Sequence, residues 1–486
     1  MELILSYIPQ HIRIFVSPAL AVIYVAISIL AAGHILFNKR DVRSSIGWIA
    51  LVFLSPFLGT LAYILFGINR VSKKAVRLRR RNKENEIKSS IEIEKNLGSF
   101  IYANQMITYG RNVYPQELCV GNSIEPLLNG TQAYPEMLKA IRNSKKEVLI
   151  ESYIFDSDDE TDKFIDAFSQ AAANGAKIKV LIDGIGTLKF FRRNIEKKLK
   201  TIKGLKYAVF LPPQIPIAMP FVNLRNHRKI MLIDGKTAFF GGMNLSKNNV
   251  LIDDKKRGVL DITFKVEGPL IDQISEVFED DWEFAAKESF LACDYDMSQA
   301  TPAGNIPARV IPNGPDDKRN LIDLTIHGAI NFALKKIIVL TPYFLPENHI
   351  LTALEMASMR GISVEIIIPQ ISDHLIMSWA EKYNFKRLIQ RGVKIYRVAP
   401  PFDHSKIFIV DDEWAFIGSA NWDVRSFRLH FEANIEVFDR DFVKKLFDIT
   451  QKKKEKARLS TMQDCDSAGF FERLRANAFH LFTPYY

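Results

Sequence analysis

The chain has very little cysteine: three residues in 486, Cys119, Cys293 and Cys465. They are odd in number and far apart, which excludes a disulfide framework and a cysteine-based zinc site, and nothing around them indicates a reactive thiol. Acidic residues are also too few to balance the basic ones, since 55 Asp and Glu stand against 65 Lys and Arg, a net charge of +10. This excess favours an anionic partner, either nucleic acid or a membrane surface rich in anionic lipid.

Two segments near the N-terminus almost lack charge. Residues 15–37 are nearly all apolar, and residues 46–68 contain no charged residue. Each is about as long as a helix that crosses a hydrocarbon core roughly 30 Å thick. A signal peptide has a shorter apolar region and would not be followed at once by a second one. The sequence therefore predicts a two-helix transmembrane hairpin within residues 1–70, with a kink at Pro56.

Basic residues near the ends of these segments predict their orientation. Three cations lie in the short connecting loop, and eight lie within residues 70–83. The side richer in Lys and Arg faces the cytoplasm. The hairpin is thus expected to make a multi-pass anchor with the rest of the chain in the cytoplasm. Residues 71–115 are interpreted as a basic linker whose cations contact anionic lipid.

One motif occurs twice. The first copy spans 227–234 and the second spans 404–411, and both read His-x-Lys-x4-Asp. The agreement continues downstream, with two small residues seven and eight positions after the Asp and an Asn ten positions after it. One copy would be weak evidence, but two copies with equal downstream offsets indicate a duplicated catalytic half.

Helical and strand patterns alternate around each motif. A helix pattern at 136–144 precedes an apolar strand at 147–150, and the same order recurs at 321–334 and 337–344. Such alternation implies a sheet with helices on both faces. We predict an α/β fold of two sandwich halves in a pseudo-two-fold arrangement, packed face to face so that both motifs meet. The predicted halves span 116–300 and 301–486.

Two histidines, each with a nearby lysine, suit transfer at a phosphodiester. One imidazole attacks phosphorus and forms a phosphohistidine, and the other protonates the leaving oxygen and later deprotonates the acceptor hydroxyl. The lysines and asparagines can hold the non-bridging oxygens, and the small residues let the backbone approach the phosphate. The candidate catalytic residues are His227, Lys229, Asp234, His404, Lys406 and Asp411; the candidate phosphate-binding residues are Asn244, Asn421, Gly242 and Ser419. No group with metal-ligand spacing flanks either motif, so we expect no metal and no other cofactor.

Each imidazole also needs a carboxylate that fixes its tautomer. Asp261 follows His227 by 34 residues, and Glu432 follows His404 by 28. Both are candidates for this orienting role, with an ordinary surface contact as the alternative. Asp234 and Asp411 stand at the ends of their strands, where capping a turn or holding the lysine is as plausible as direct chemistry.

The paired motifs resemble those of the phospholipase D superfamily, and nearly the whole chain is similar to the bacterial cardiolipin synthases. The further similarity rests on the apolar hairpin with Trp48 and Pro56, on Asn226-His227-Arg228-Lys229, on Asp281-Trp282, on Thr341-Pro342-Tyr343-Phe344, and on the run from Gly418 to Ser426. Two positions differ from the expected pattern: His430 stands where Asn is expected, and Thr263 stands where relatives often carry His.

The resemblance implies phosphatidyl transfer between two phosphatidylglycerol molecules, giving cardiolipin and glycerol, at the bacterial inner (plasma) membrane. It implies that His227 is the nucleophile and that His404 is the acid and then the base. The alternative is a membrane-bound phospholipase D or phosphodiesterase with water as acceptor. The hairpin favours lipid over nucleic acid, and a scaffold with a dead site is disfavoured because both motifs are intact. The Pro-rich loop 212–221 is either a bilayer contact or a packed connection.

Overall fold

The computed structural model describes residues 10–39, 42–67, 101–187, 189–212, 224–251, 258–288, 301–315 and 320–481. The described elements fall into two compact units, one that contains the elements up to Gly67 and one that contains the elements from Ile101 onward. Residues 213–221 of the Pro-rich loop, and the basic run 70–83, lie outside the described residues.

The N-terminal unit contains three helices and a π-helical turn: α1 (Gln10–Asn38), α2 (Val42–Leu54), α3 (Pro56–Ala62) and Tyr63–Gly67. Proline has no backbone N–H and interrupts the helix that precedes it, so the second apolar segment is divided at Ser55. Among the described residues, no helix combines the length and the apolar character needed to cross a membrane. The two predicted transmembrane helices are therefore not found in this part of the chain.

The first half of the second unit alternates strands and helices, as the sequence predicts. After α4 (Ile101–Val113), its elements are β1 (Cys119–Leu128), α5 (Asn129–Asn143), β2 (Glu147–Ser152), α6 (Asp159–Ala173), β3 (Lys177–Asp183), α7 (Lys189–Lys200), β4 (Leu205–Phe210), β5 (Ile230–Ile233), β6 (Thr237–Gly241), β7 (Val259–Leu260), β8 (Ile262–Glu267) and α8 (Leu270–Ala286). Helix α6 begins with a complete capping box, in which Asp158 and Thr161 exchange side-chain and backbone hydrogen bonds.

The second half repeats this order and adds short elements at its end. Its elements are β9 (Ile306–Asn313), α9 (Leu321–Phe332), β10 (Lys336–Leu340), β11 (Phe344–Leu345), α10 (Asn348–Met359), β12 (Ser363–Pro369), α11 (Leu375–Gln390), β13 (Lys394–Val398), β14 (Phe402–Asp403), β15 (Ile407–Val410), β16 (Trp414–Gly418), β17 (Trp422–Asp423), α12 (Val424–Arg428), β18 (Glu432–Phe438), α13 (Arg440–Lys454), β19 (Ala457–Leu459), α14 (Met462–Asp466) and α15 (Phe470–His480).

Fifteen of the described strands form one mixed sheet that is symmetric about its centre. From the antiparallel pair β1–β9, one half adds β8, β6, β5, β2, β3 and β4, while the other adds β18, β16, β15, β10, β12 and β13, with β19 at the outer edge. This repeated order is the predicted pseudo-two-fold arrangement. The expectation of two sandwiches packed face to face is wrong, because the edge strands β1 and β9 pair and join both halves into one sheet.

Each half buries its own apolar cluster. Leu, Ile, Val and Phe side chains of the strands alternate between the two faces of the sheet and pack under the helices on both sides. Helix α4, which the sequence assigned to a basic linker, belongs to the second half's cluster instead. Its Met106 and Ile107 are buried, and the Tyr109 hydroxyl donates to the carbonyl of Leu324 at 2.8 Å. The apolar residues of α4 pack against the second half, although the stretch before this helix is basic.

Candidate active site

Two imidazoles face each other where the halves meet. His227 lies just before β5 and His404 just before β15, at the end of the sheet where β2 and β10 finish. Their ring centroids are 6.4 Å apart, and the ring planes are inclined at 75°. Only 7% of the His227 side chain and 12% of the His404 side chain are exposed. The structure thus brings together the two histidines that the repeated motif indicated.

Short backbone pairings between the halves position these rings. The His227 N–H donates to the Phe431 carbonyl at 2.9 Å, and the Phe431 N–H donates to the Arg225 carbonyl at 2.8 Å. In the equivalent place, β14 pairs with β7, and the His404 N–H donates to the Leu260 carbonyl at 2.7 Å. Each histidine is therefore held beside the residue that precedes a carboxylate of the opposite half.

Each ring contacts a carboxylate of the opposite half. His227 Nδ1 lies 3.0 and 3.1 Å from the two oxygens of Glu432, and His404 Nδ1 lies 2.8 Å from Asp261 Oδ2. Both carboxylates are buried. The two carboxylates that the sequence offered thus lie against the two rings, but each contacts the histidine of the other half and not the one nearer to it in the chain. A carboxylate that accepts from Nδ1–H leaves the Nε2 lone pair free for chemistry.

Burial and nearby cations lower the pKa of both imidazoles. Burial lowers the pKa of His227 well below its ordinary value, and the ammonium groups of Lys229 and Lys406 add to the shift. The pKa of His404 is lowered by the same two causes, while its hydrogen bond to Asp261 opposes the shift. A neutral ring can act as a nucleophile or base, and Asp261 stabilises the cation when His404 gains a proton.

The two lysines of the motifs are buried beside the histidines. Lys229 Nζ donates to the His227 carbonyl at 2.5 Å, and its ammonium lies 5.1 Å from the centroid of the Tyr153 ring. Lys406 Nζ donates to the His404 carbonyl. Burial lowers the pKa of Lys229 to about 7 and that of Lys406 to about 8. A bound phosphate anion would favour the charged form of both groups.

The small residues downstream of the two motifs lie close to the carboxylates Asp261 and Glu432. A Cβ atom at Gly242 would lie 3.0 Å from Asp261 Oδ1 and 3.1 Å from Lys406 Nζ. Any larger residue would therefore displace the lysine of the other half. In the equivalent position Ser419 contacts Glu432, with its hydroxyl donating to Oε2 at 2.5 Å. Ser419 thus contacts Glu432 directly, and Gly242 leaves room for Asp261 and Lys406.

The two asparagines differ in their surroundings. Asn244 Oδ1 accepts from the Ile154 N–H at 3.1 Å, so its carbonyl oxygen is occupied in holding a loop. Asn421 is buried, and its Oδ1 has no hydrogen-bond partner among the described residues. The symmetry of the sequence motif therefore does not extend to the hydrogen bonds of these side chains.

The aspartates of the two motifs occupy structural positions. Asp234 accepts hydrogen bonds from the Ser144 hydroxyl and from the N–H groups of Lys145, Lys146 and Glu147. Asp411 accepts from the N–H groups of residues 334–336. These amides precede β2 and β10, at the end of the sheet opposite the imidazoles. The turn-capping interpretation therefore fits both aspartates, and the structure separates them from the two histidines.

Two tyrosines at equivalent positions line the site. Tyr153 follows β2, and its ring centroid is 4.9 Å from that of His227. Tyr343 follows β10, and its centroid is 6.5 Å from that of His404. The Tyr343 hydroxyl donates to Asp373 Oδ1 at 2.6 Å. Sequence reasoning missed Tyr153. Its position after β2 matches that of Tyr343 after β10, and this match could have identified it.

A buried ion pair lies next to His227 in the chain. The Arg228 guanidinium pairs with Asp281 of α8, and its Nε donates to the Glu432 carbonyl at 3.0 Å. Arg228 therefore ties α8 to the strand that carries the orienting carboxylate. The sequence offered Asp281 as part of a family signature but gave no indication of its partner.

A third imidazole lies beside His227. The ring centroid of His430 is 5.4 Å from that of His227, and its Nδ1 is 3.6 Å from Glu432 Oε1. The ring is buried, and burial lowers its pKa to about 3. One donor atom each from His227, His430 and Glu432 lies within 4.8 Å of the others. Among the described residues this is the cluster able to hold a metal ion, and spacing in the sequence did not reveal it.

Comparisons with known proteins agree with this arrangement. A family described as "Cardiolipin synthase, PLD-like domain" matches residues 137–282 and 326–453, and one described as "Phospholipase_D-nuclease N-terminal" matches 26–67. The chain is 29% identical to the major cardiolipin synthase ClsA of Bacillus subtilis, over 96% of this chain and 99% of that protein. It is 30% identical to a cardiolipin synthase of Clostridium perfringens, over 92% and 95% of the two chains.

A solved structure shares the fold. The phosphatidylserine synthase of Haemophilus influenzae superimposes with a TM-score of 0.62 over 78% of this chain and 100% of that one, at 14% identity. The similarity extends across both halves, since it covers most of the chain.

Proposed function

The chain belongs to the cardiolipin synthase family of the phospholipase D superfamily, and from this premise we propose that it joins two phosphatidylglycerol molecules into cardiolipin and releases glycerol. The observation that carries the proposal is the pair of buried imidazoles with exchanged carboxylates, 6.4 Å apart between ring centroids. This arrangement can place a nucleophile and a proton donor on opposite sides of one phosphorus.

In the first step, His227 is the nucleophile. Its Nε2 lone pair attacks the phosphorus of one phosphatidylglycerol while Glu432 accepts the hydrogen bond from Nδ1 and stabilises the developing cation. The P–O bond to the glycerol headgroup breaks. Protonated His404, stabilised by Asp261, gives its Nε2 proton to the leaving oxygen, and glycerol departs.

In the second step, the reaction runs in the reverse sense with a different alcohol. Neutral His404 accepts the proton from a glycerol hydroxyl of the second phosphatidylglycerol, and that oxygen attacks the phosphorus. The P–N bond to His227 breaks, and cardiolipin leaves. In both steps Lys229 and Lys406 hold the non-bridging oxygens, where their charge offsets that of the transition state.

Exposed apolar residues near the site support a lipid substrate. Leu375 and Ile376, at the start of α11, are 60% and 40% exposed, and Ile371 just before them is 58% exposed. They adjoin His374, whose ring centroid is 5.6 Å from that of Tyr343. Tyr343 in turn faces His404. An apolar rim at this distance suits acyl chains whose headgroup phosphate reaches the imidazoles.

The N-terminal unit supports location at a membrane. Large apolar side chains of α1 and α2 are exposed, including Leu30 at 74%, Phe37 at 92% and Leu54 at 82%. Large exposed apolar side chains of this kind are more favourably placed in a bilayer than in water. We propose that this unit attaches the enzyme to the bacterial inner membrane from the cytoplasmic side, and that the two halves of the enzyme span residues 116–300 and 301–486.

The direct test uses the purified full-length enzyme in vesicles that contain phosphatidylglycerol labelled in its glycerol headgroup. We expect one labelled glycerol to be released for each cardiolipin formed, and a His227→Ala preparation serves as the blank. Phosphatidic acid formed at the expense of cardiolipin would indicate water as the acceptor, and would replace the proposal by a phospholipase D activity.

The apolar rim gives a second prediction. The double change Leu375→Ser and Ile376→Ser should reduce kcat/KM on vesicle-bound phosphatidylglycerol by about 10-fold, because two exposed side chains that contact lipid contribute roughly 1–3 kcal/mol together. The loss should be much smaller on a short-chain substrate in free solution.

A matched control lies on α10, where Met356 and Met359 are 53% and 58% exposed. Changing both methionines to Ser should leave the activity on vesicles near that of the wild type. Equal losses in the two double variants, or equal losses on both substrates, would contradict a specific lipid contact at α11.

A further inference from the structure

The space between His227, His430 and Glu432 has the dimensions of a metal site. His227 Nδ1 lies 3.0 Å from Glu432 Oε1, and His430 Nδ1 lies 3.6 Å from the same oxygen. Zn²⁺ binds histidine nitrogen and carboxylate oxygen at about 2.0–2.2 Å in tetrahedral sites, which places neighbouring ligand atoms roughly 3.3–3.5 Å apart. These two separations bracket that value, and one donor atom from each of the three residues lies within 4.8 Å of the others.

His430 brings a donor atom that nothing else uses. The residue is 7% exposed, and its Nδ1 is buried without a hydrogen-bond partner among the described residues. At 3.6 Å, the Glu432 oxygen is too far away to accept a hydrogen bond from it. A buried ring nitrogen left unpaired is costly unless a ligand occupies it. Since the family pattern predicts Asn at this position, the extra imidazole is a feature of this chain.

The charges around the cluster are balanced. Lys229 and Lys406 oppose a cation near His227, as their effect on that ring shows. Glu432 and Asp261 supply two carboxylates within the same buried group. A divalent ion coordinated by Glu432 adds two positive charges, and it would favour the neutral forms of the two lysines, whose pKa values burial lowers to about 7 and about 8. The ligand set of two imidazoles and one carboxylate is one that Zn²⁺ uses with a fourth, open position.

We propose that His227, His430 and Glu432 form an inhibitory site for Zn²⁺ and similar divalent transition metals. The ion binds His227 Nδ1 in place of the proton that this nitrogen donates to Glu432, and that proton moves to Nε2. Nε2 then carries hydrogen and has lost the lone pair that attacks phosphorus. The ion also separates Glu432 from the ring. The inhibition rests on the proposed role of His227, whereas the binding does not.

Binding is tested with Co²⁺, whose visible absorption reports a four-coordinate nitrogen and oxygen site without reference to the reaction. The purified full-length enzyme in detergent, first freed of metal, is titrated with Co²⁺ and then with Zn²⁺ in competition. We expect one Co²⁺ per chain and displacement by Zn²⁺. His430→Asn should weaken binding at least about 10-fold, since even outer-shell partners of a metal contribute that much.

Two further variants make the result decisive. His430→Cys keeps a ligand in place, so it should still bind Co²⁺ and add a thiolate charge-transfer band in the near ultraviolet. His327→Asn removes a half-buried imidazole whose ring centroid lies 5.6 Å from that of His349, and it should bind like the wild type. Equal Co²⁺ affinity in the wild type and His430→Asn, or no four-coordinate spectrum in the wild type, would overturn the site.

Activity is measured in parallel on phosphatidylglycerol vesicles. Zn²⁺ should inhibit the wild type reversibly, with recovery on addition of a chelator, and the concentration for half-inhibition should rise at least about 10-fold in His430→Asn. If Co²⁺ binds stoichiometrically and the activity is undiminished, the proposed inhibition is wrong but the proposed metal site stands. An enzyme that is inactive even after treatment with chelator would instead count against the proposed function.

Discussion

Replacing His404 by alanine should abolish turnover on phosphatidylglycerol and yet leave the enzyme able to accept a phosphatidyl group from a p-nitrophenyl ester. Glycerol is a poor leaving group and needs the proton of His404, whereas p-nitrophenolate leaves without one. General acid and base catalysis each contribute roughly 10²–10⁴-fold, so turnover on the natural substrate should fall by at least about 10³-fold. The His227 ring, held by Glu432, is unchanged in this variant.

The measurement is the pre-steady-state release of p-nitrophenolate, together with transfer of labelled phosphate to protein. His404→Ala should give a burst of one p-nitrophenolate per active site, followed by very slow turnover, and should retain one labelled phosphatidyl group per chain. That label should be acid-labile and base-stable, as expected for a phosphorus–nitrogen bond. The intermediate accumulates because its removal needs the base that has been deleted.

His227→Ala should show neither the burst nor the label, because no nucleophile remains. His349→Ala is the matched control, since this exposed ring bonds Asp323 in the second half and takes no part in the proposed chemistry. It should behave as the wild type in both assays. A burst in His227→Ala, or label retained by that variant, would assign the nucleophile to another residue.

The sequence predicts the pair of histidines because the motif occurs twice and each copy supports the interpretation of the other. Two copies with the same downstream offsets require the same local fold twice, and β5 and β15 occupy equivalent places in the sheet. The alternation of helices and strands predicts the α/β class for the same reason. Local spacing thus carries the fold of each half, but it does not say how the halves join. That is decided by the strand pairs β1–β9 and β7–β14.

The role of the motif aspartates could not be decided from the sequence. A carboxylate that ends a strand beside a lysine is compatible with chemistry and with capping. The structure separates the two interpretations, because Asp234 and Asp411 adopt left-handed φ values of 51° and 55° and gather the backbone N–H groups of a neighbouring loop. The backbone N–H groups of this loop need hydrogen-bond acceptors whether or not a substrate is bound. The two carboxylates meet that need, which is a structural role.

The exchange of the orienting carboxylates lies beyond any local pattern. It depends on contacts such as His227 with Glu432, which are 205 residues apart in the chain. Nearness in sequence favours pairing within a half, yet strands β7 and β14 bring Leu260 and Asp403 together and reverse that choice. Each histidine therefore takes its carboxylate partner from the other half. We infer that the two halves are active only together, as one enzyme.

The exchange predicts which step each carboxylate affects. Glu432→Gln should slow the burst with the p-nitrophenyl ester by roughly 10²–10⁴-fold, because His227 loses the acceptor that fixes its reactive tautomer. Asp261→Asn should leave the burst close to that of the wild type, since only His404 is affected and p-nitrophenolate needs no acid. The subsequent turnover of Asp261→Asn should fall by a similar factor, and its phosphatidyl-enzyme should accumulate.

Pairing within each half would reverse this result, with Asp261→Asn slowing the burst and Glu432→Gln trapping the intermediate. The two outcomes are separated by the same assay on the same substrate, and unequal expression or partial unfolding cannot mimic them, because the burst amplitude counts the competent sites in each preparation. Both variants keep the size of the side chain, so the backbone pairings around His227 and His404 should persist. A slow burst in Asp261→Asn would therefore mean that the exchanged hydrogen bonds do not orient the rings during the reaction.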